Sequence, residues 1–317
     1  MKKLQSVKRL SGLLSLLILW GVGGGFSSAQ AQTYAQLKLW DSHERYPLIN
    51  EIEFEGADSS LATYDAIYGH GAMMENEYYG LRVYMDHRQS VDLYGKRMPQ
   101  IELPTTNFYS TAEHRAQGYG EDILFVGGSI GAGSFRGYEQ GQPTFLQPVA
   151  ARGQRVRTTT PDSASIEVWC RDWMYKGQPL QLLVRYSMFK GRRETLVDVY
   201  LTGCSDSMVF VTGVQKLESN SRGICQPNKG LVASWGTNVP DKAHPELSET
   251  LGMAVRVSRE YLYGTTEDDL NYLCLVHPVD GHIQYRLYVA PDMEREGGFH
   301  DADSWFTWLK DNMGIAQ

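Results

Sequence analysis

Cysteine is scarce in this sequence, which limits both metal binding and cross-linking. None of the cysteines belongs to a CxxC or to a Cys/His cluster with zinc spacing, so no structural zinc is predicted. In an oxidising compartment, four thiols allow two disulfides with three connectivities. Two of them fall on the apolar side of alternating segments, so free thiols and at least one disulfide both stay open. The four are Cys170, Cys204, Cys225 and Cys274.

Motifs of nucleotide binding and of serine hydrolases are also missing. The glycine-rich stretch from Gly118 to Tyr138 has no Gly-Lys-Ser/Thr, and Arg136 stands where a dinucleotide fingerprint needs its third glycine. No Gly-x-Ser-x-Gly elbow occurs between a strand and a helix. The stretch instead predicts strands with bulges or close backbone approaches.

Acidic residues outnumber basic residues by 37 to 30, and the sequence has no long apolar run after its N-terminal segment. The formal net charge of −7 disfavours nucleic acids and anionic membranes as partners, because both select basic surfaces. Residues 1–31 have a basic start, a short apolar run and a small-residue end, which predict a signal peptide cleaved after Ala31. Residues 32–317 are then expected to form one exported domain, most simply in a bacterial periplasm.

Helical periodicity is limited to two short segments, whereas alternation with period two is common. Thr111 to Gly118 and Asp303 to Met313 predict helices, the second capped by Asp303 or Ser304. Alternating segments such as "SIEVWC", "QLLVRYS" and "HIQYRLYVAP" recur between glycine turns. This pattern predicts an all-β fold, a large antiparallel β-sandwich with a short C-terminal helix.

The stretch "YGHGAMMENEYYGLRVYMD", from Tyr68 to Asp86, carries the first candidate site. If one strand begins early and continues unbroken, Glu75 and Glu77 project from one face, about 7 Å apart. With His70 nearby, the two acids could divide general-acid and general-base roles once burial separates their pKa values. Arg82 could neutralise an acidic substrate. The alternative is a solvated strand end, with His70 only capping a turn.

The segment from Ala233 to Gly252 is the second candidate, because its weak pattern predicts a long loop. Trp235, Asn238, Lys242 and His244 combine the aromatic face, amide and charges that sugar rings need. His244 is also a candidate catalytic residue. The alternative is an ordinary surface loop.

Other polar residues are harder to place from the sequence. Lys216 and Glu218 share a face of a predicted strand, so they could point into the same cleft as a pair or form a structural ion pair. His114 and Arg115 reach the site only if the tertiary fold brings them there. No cofactor is predicted. Calcium is left open as a ligand of four acids that are otherwise solvated, namely Glu246, Glu249, Asp268 and Asp269.

Several long phrases carry a family resemblance. "TYDAIYGHGAMMENEYYGLRVYMDHRQSVDLYGK", "GYGEDILFVGGSIGAGSFRGY", "TGVQKLE" and "SWGTNVPDKAHPELSETLG" together resemble the bacterial proteins grouped as domain of unknown function DUF4861. The resemblance extends from about Ala35 to the terminal "WFTWLK". It implies an exported Bacteroidetes protein associated with degradation of uronate- or rhamnose-containing glycans, and it assigns no catalytic residue.

The meander "VRYSMFKGRRETLVDVYLTG" resembles the central sheet of galactose-mutarotase-like supersandwiches, which include aldose epimerases and domains of polysaccharide lyases and glycosidases. This second resemblance implies a histidine acid and a glutamate base, roles open to His70 or His244 with Glu75, Glu77 or Glu218. We expect an acid–base enzyme acting on a uronic-acid-containing sugar or oligosaccharide. A non-catalytic glycan-binding protein is the alternative; its aromatic residues should line an open face, whereas an enzyme should gather acids in a deep cleft.

Overall fold

Antiparallel strands dominate the computed structural model, which describes residues 32–40, 46–56 and 61–313. Four short α-helices occur in these residues, namely α1 (Leu61–Asp65), α2 (Leu103–Thr106), α3 (Ala112–Ala116) and α4 (Ala302–Asn312). Single 3₁₀ turns span Tyr68–His70, Pro227–Lys229 and Pro245–Leu247. The strands are β1 (Thr33–Gln36), β2 (Glu51–Glu55), β3 (Gly71–Asn76), β4 (Tyr79–Tyr84), β5 (Val91–Gly95), β6 (Glu121–Asp122), β7 (Arg136–Glu139), β8 (Gln142–Thr144), β9 (Ala151–Thr159), β10 (Ser163–Tyr175), β11 (Gln178–Phe189), β12 (Glu194–Thr202), β13 (Phe210–Gln215), β14 (Ser219–Gln226), β15 (Leu231–Asn238), β16 (Glu249–Val257), β17 (Leu262–Glu267), β18 (Asn271–Val276) and β19 (His282–Pro291).

Three sheets share these strands. The central sheet has nine strands in the order β14-β15-β16-β19-β12-β11-β10-β9-β2. The first small sheet has the order β1-β3-β4-β5-β6, and the second has the order β17-β18-β13-β7-β8. The central sheet contacts both small sheets, through β10 and β11 against β3 and through β15 and β16 against β13. A large apolar core lies between these layers, so the predicted antiparallel β-sandwich is confirmed.

The alternation seen in the sequence explains how the central sheet buries one face. Val168, Val184, Val199 and Ile283 face one another across four neighbouring strands. All four side chains are buried in the core. Burying an aliphatic side chain of this size stabilises the fold by about 1.5–3 kcal/mol, so the row holds the four strands in one register.

The glycine-rich stretch forms less strand than its pattern predicts. Only β6 and β7 are regular, and residues 123–135 between them are largely irregular. The predicted close backbone approach does occur at Gly131, which has a φ of +65°. A Cβ atom there would lie 2.5 Å from the carbonyl oxygen of Val91, so only glycine fits.

Helix α4 is the predicted C-terminal helix, but its N-cap was assigned wrongly. The cap is Asp301, whose carboxylate accepts a hydrogen bond of 2.7 Å from the backbone N–H of Ser304. Trp305 and Leu309 pack the helix against the outer face of the central sheet, where Trp235 is also buried. The tryptophan predicted to stack on a sugar is therefore a core residue.

Two further expectations concern the cysteines and the membrane. All four cysteines are free thiols, which decides between the alternatives left open above. No helix in the described part of the chain is long and apolar enough to cross a membrane. The predicted signal peptide, residues 1–31, lies outside the described residues, so export stays a prediction.

At Gly252, α4 packs closely against the central sheet. A Cβ atom there would lie 2.7 Å from Nε1 of Trp305 and 2.8 Å from Cε3 of Trp235. We expect Gly252→Val to lower the free energy of unfolding by about 1–3 kcal/mol, because two tryptophans must shift. Gly264→Val is the control, since a Cβ atom there meets nothing within 4 Å. Equal stabilities in urea titrations would contradict this account of the packing.

Candidate functional site

The predicted unbroken strand through Glu75 and Glu77 is wrong, because the chain reverses between them. β3 ends at Asn76 and β4 begins at Tyr79, and the two strands form an antiparallel hairpin. The side-chain oxygen of Asn76 closes the turn by accepting a hydrogen bond of 3.3 Å from the backbone N–H of Tyr79. Glu77 lies in this turn and accepts a hydrogen bond of 2.5 Å from the N–H of Gly191. The two carboxylates therefore do not share a strand face.

Glu75 serves as an anchor inside the protein. Its side chain is fully buried and forms an ion pair with Lys96, which is equally buried. The same carboxylate accepts hydrogen bonds of 3.0 Å from the backbone N–H of Glu102 and 2.8 Å from that of Leu103. These bonds fix the start of α2 above the first small sheet.

His70 stands apart from Glu75 and Glu77. It occupies the 3₁₀ turn with a φ of +66°, and its half-buried ring stacks on Tyr64 with 3.8 Å between centroids. Its Nδ1 lies 3.2 Å from the carbonyl oxygen of Tyr64. Burial lowers the pKa of His70, and the positive charge of Arg82 lowers it further. The ring is therefore neutral at neutral pH.

Arg82 is the predicted residue that lies at the centre of a polar site. It projects from β4 away from the main core and is only 4% exposed. Its Nη2 donates to Asp92 at 2.8 Å and to Asp122 at 3.1 Å, while Nη1 donates to the Tyr109 hydroxyl at 2.9 Å. The guanidinium also lies 4.3 Å from the centre of the Phe108 ring. One cation therefore holds two acids from neighbouring strands.

The sharing of one guanidinium by two carboxyl groups makes Asp122 unusual. Burial raises the pKa of Asp122 well above its usual range, and the Asp92 carboxylate raises it further, while Arg82 opposes the change. The Asp122 side chain still exposes 25% of its surface. Asp122 is therefore a protonatable group that a ligand can reach.

Asp122 opens into a cleft of 450 Å³, which we call the main cleft. Its walls come from the segment that follows α2, from α3 and β6, and from the loop at residues 239–248. The lining residues combine aromatic rings, cations and acids, and they are Phe108, Tyr109, Ser110, Arg115, Glu121, Asp122, Phe125, Pro240, Asp241, Lys242 and Leu247.

A second group of charges includes Glu121 and Arg115 from the lining of the main cleft. Glu121 forms an ion pair with Arg97 and lies 3.7 Å from Arg115. Arg97 also approaches Glu249 at 4.0 Å. Burial raises the pKa of Glu249 to about 7, and the neighbouring Glu121 adds to the increase. The fold therefore brings Arg115 to the site, a placement that the sequence left open.

The segment from Ala233 to Gly252 contributes to the main cleft, but it is not one long loop. β15 ends at Asn238 and β16 begins at Glu249, so only residues 239–248 form the connection. Asn238 is buried and accepts a hydrogen bond of 2.6 Å from the backbone N–H of Phe125, which positions that residue. Lys242 lies 5.0 Å from the centre of the Phe125 ring. Asn238 therefore supports the wall, and Lys242 forms part of it.

The remaining predicted residues lie elsewhere or have different partners. Lys216 pairs with Glu267 at 2.9 Å, whereas Glu218 pairs with Lys242, so the pair predicted between Lys216 and Glu218 does not form. His244 is exposed and lies 3.1 Å from Glu246.

Calcium was left open as a ligand of four acids. In the part of the chain that the structure describes, no group of three or more histidine, cysteine or acidic residues is placed to hold a metal ion. Glu246, Glu249, Asp268 and Asp269 therefore do not form a common calcium site.

Asp92, Asp122 and Tyr109 contact Arg82, and none of the three was predicted as a site residue. A usable signal existed for the acids, because each precedes apolar residues in "SVDLYG" and "GEDILF". An acid placed among strand residues implies a buried partner. Tyr109 gave no comparable signal, since its position depends on the anchoring of the preceding segment by Glu75.

The sandwich and the main cleft can now be set beside known proteins. The family model described as Domain of unknown function (DUF4861) matches residues 22–315, so the chain belongs to this family. The resemblance found in the sequence is thereby confirmed. No curated protein matches the sequence.

Solved structures show only distant similarity. A candidate aldose 1-epimerase from Klebsiella pneumoniae matches with 9% identity and a TM-score of 0.42, covering 90% of this chain and 97% of that one. A protein in the glycosyl hydrolase family 38 from Enterococcus faecalis matches with 10% identity and a TM-score of 0.41, covering 82% of this chain and 33% of that one. A TPR-domain containing protein from Parabacteroides distasonis matches with 10% identity and a TM-score of 0.38, covering 85% and 57%. Similarity at this level assigns neither an activity nor a site residue.

The buried pair of Glu75 and Lys96 should be necessary for stability. We expect Lys96→Met to lower the free energy of unfolding by about 3–5 kcal/mol, because it leaves a buried carboxylate without its cation. Lys242→Met is the matched control, since it breaks a lysine–glutamate pair that is half exposed; the expected loss is about 1 kcal/mol or less. Similar losses in guanidinium titrations would show that the anchor is not required.

Glu249 should make stability depend on pH. Its pKa is about 7 in the folded protein, above the usual glutamate value of 4.5, so the folded state binds this proton more tightly than the unfolded state. The stabilising proton is fully present below pH 4.5 and is lost as the pH rises to about 7. We expect Glu249→Gln to match the wild type near pH 4 and to exceed it above pH 7 by roughly 2–3 kcal/mol. A difference independent of pH in urea titrations would contradict this assignment.

Proposed function

We propose that the protein is a carbohydrate-active enzyme that binds a uronic-acid-containing sugar or oligosaccharide in the main cleft and transforms it by acid–base catalysis. The observation that carries this proposal is the meeting of two unlike acids in one cleft. Asp122 has a raised pKa and is accessible, while Glu121 is ion-paired with Arg97. Adjacent acids in contrasting environments are the usual arrangement for dividing acid and base roles.

The walls of the main cleft suit an acidic sugar. Tyr109 and Phe125 line the cleft and are 42% and 43% exposed. Aromatic faces of this kind stack on the C–H faces of pyranose rings. Arg115 and Lys242 line the same space and can pair with a uronate carboxylate. Neutral sugars would leave both cations without a partner in the ligand.

The charges also favour one type of reaction. Abstraction of the proton beside a uronate carboxylate places negative charge on that carboxylate in the transition state, and nearby cations stabilise this charge. In this proposal Glu121 acts as the base and Asp122 as the acid that protonates an oxygen of the sugar. Epimerisation and elimination both start with this step, so we propose a lyase- or epimerase-type reaction.

A row of aromatic rings leads away from the main cleft and supports an oligosaccharide as the ligand. Tyr109 meets Tyr68 edge to face, with 6.4 Å between centroids, and Tyr68 lies 5.5 Å from Trp40. Trp40 is 54% exposed. Such a row can hold further sugar units beyond the one in the cleft. The same open row is what favours the alternative, a non-catalytic glycan-binding protein.

Asp122→Asn tests the acid directly. We expect turnover of galacturonate-containing oligosaccharides to fall by about 10²- to 10⁴-fold, as is typical for the loss of a general acid. Binding should change little, because the asparagine oxygen can still accept from Arg82. NMR would follow products and epimerisation, and calorimetry would measure affinity.

Asp198→Asn is the matched control for this experiment. Asp198 is similarly shielded, with 12% of its side chain exposed, and it contacts His282 at 3.1 Å and Gln284 at 2.8 Å, outside the lining of the main cleft. Its variant should retain full turnover. Equal turnover in both variants would reject Asp122 as the acid. Binding without turnover in the wild type would instead identify a glycan-binding protein, and absence of binding would reject the main cleft as a sugar site.

A further inference from the structure

Arg136 is a buried cation without a visible counter-charge. It lies on β7, and only 1% of its surface is exposed. Its Nη2 donates to the Ser90 hydroxyl at 2.6 Å and to the Ser129 carbonyl oxygen at 2.8 Å. Among the described residues, no carboxylate forms an ion pair with Arg136, and its buried Nε–H has no hydrogen-bond partner. A buried charge of this kind normally has an ionic partner.

The described residues between β4 and β5 do not neutralise Arg136. Asp86 is an acid in the same region, and it is already paired with Arg88 at 2.5 Å. His87 packs its ring edge-on against Phe145, and an imidazole is neutral or cationic, so it supplies no negative charge.

Arg136 forms part of the wall of a second cavity, separate from the main cleft. This cavity, which we call the Arg136 pocket, has a volume of 420 Å³. The Phe145 ring lies on one side, with its centre 5.2 Å from the guanidinium. Gly128 and the turn between β17 and β18, residues 268–271, complete the wall.

The turn that lines the Arg136 pocket is rich in hydrogen-bond acceptors. Asp268 and Asp269 lie in that turn and line the same pocket as Arg136. The Asp268 carboxylate already accepts hydrogen bonds from the side chain of Asn271 at 2.9 and 3.0 Å and from the N–H of Leu270 at 2.8 Å. A ligand must therefore offer an anion on one side and donors, such as hydroxyl groups, on the other.

We propose that the Arg136 pocket is a binding site for a small hydroxylated carboxylate, such as a sugar acid, whose carboxylate pairs with Arg136 and whose hydroxyl groups face Asp269. A simple inorganic anion would supply the missing charge but would lie near the two acids without donating to them. A neutral sugar would satisfy the acids and leave Arg136 uncompensated. The proposal is independent of catalysis in the main cleft.

The experiment uses a variant that fills the pocket without touching Arg136. Gly128 lines the pocket, and a Cβ atom there meets nothing within 4 Å, so Gly128→Phe adds a ring where space exists. Gly264→Phe is the matched control, since Gly264 is equally open and does not line the pocket. All proteins carry Arg115→Ala and Lys242→Ala, which removes the cations of the main cleft. Calorimetry is run with galacturonate, gluconate, sulfate and galactose.

We expect galacturonate or gluconate to bind with one-to-one stoichiometry, at least tenfold more weakly in Gly128→Phe and unchanged in Gly264→Phe. In the protein that carries only Arg115→Ala and Lys242→Ala, the NMR signal of the Arg136 Nε–H group should shift as the sugar acid is added, with the same saturation curve as the calorimetry. Equal binding of galactose, or binding that Gly128→Phe leaves intact, would overturn the proposal. No saturable binding of either sugar acid would overturn it as well. Stronger binding of sulfate than of the sugar acids would show a simple anion site instead.

Discussion

The ion pair between Glu75 and Lys96 is the interaction on which the main cleft depends. Both side chains are fully buried, and such a pair persists only when its remaining hydrogen-bonding groups are also satisfied. Glu75 meets this demand by binding two backbone N–H groups at the start of α2. The segment after α2 carries Phe108 and Tyr109, which contact Arg82. A carboxylate without access to any ligand thus positions the wall of the main cleft.

The structural ion pair of Arg82 also changes the protonation of a second acid, Asp122. Asp92 is its partner directly across the hairpin, so the Arg82 charge is largely balanced within the first small sheet. Asp122 arrives from β6 as a second acid on the same guanidinium. One cation does not fully stabilise two adjacent carboxylates, and Asp122 receives only one contact from it, at 3.1 Å, so Asp122 retains its proton more readily than a solvated aspartate. The raised pKa of Asp122 therefore follows from strand pairing.

The sequence predicted the strands far better than the site, and the reason is physical. Apolar and polar residues alternate around Val168 and Val184 because one face of each strand is buried. This alternation can be recognised from a few neighbouring residues in the sequence. The hairpin at Glu77 was missed because the Asn76 side chain closes its turn, without glycine or proline. The role of Trp235 was missed because it depends on contact with Trp305, far along the chain. Pairing of Arg82 with Asp122 likewise needs the tertiary register.

The glycine-rich stretch supplies a wall to both cavities, although it matches no phosphate-binding motif. Phe125 lines the main cleft, and Gly128 lines the Arg136 pocket. Gln215 fixes the chain between them: its amide donates to the Phe125 carbonyl oxygen at 3.1 Å, and its oxygen accepts from the Ser129 hydroxyl at 2.6 Å. The Ser129 carbonyl oxygen also accepts a hydrogen bond from Arg136. The buried Gln215 side chain therefore positions both Phe125, in the wall of the main cleft, and Ser129, which binds Arg136. The glycines therefore allow an irregular backbone that two polar cavities share.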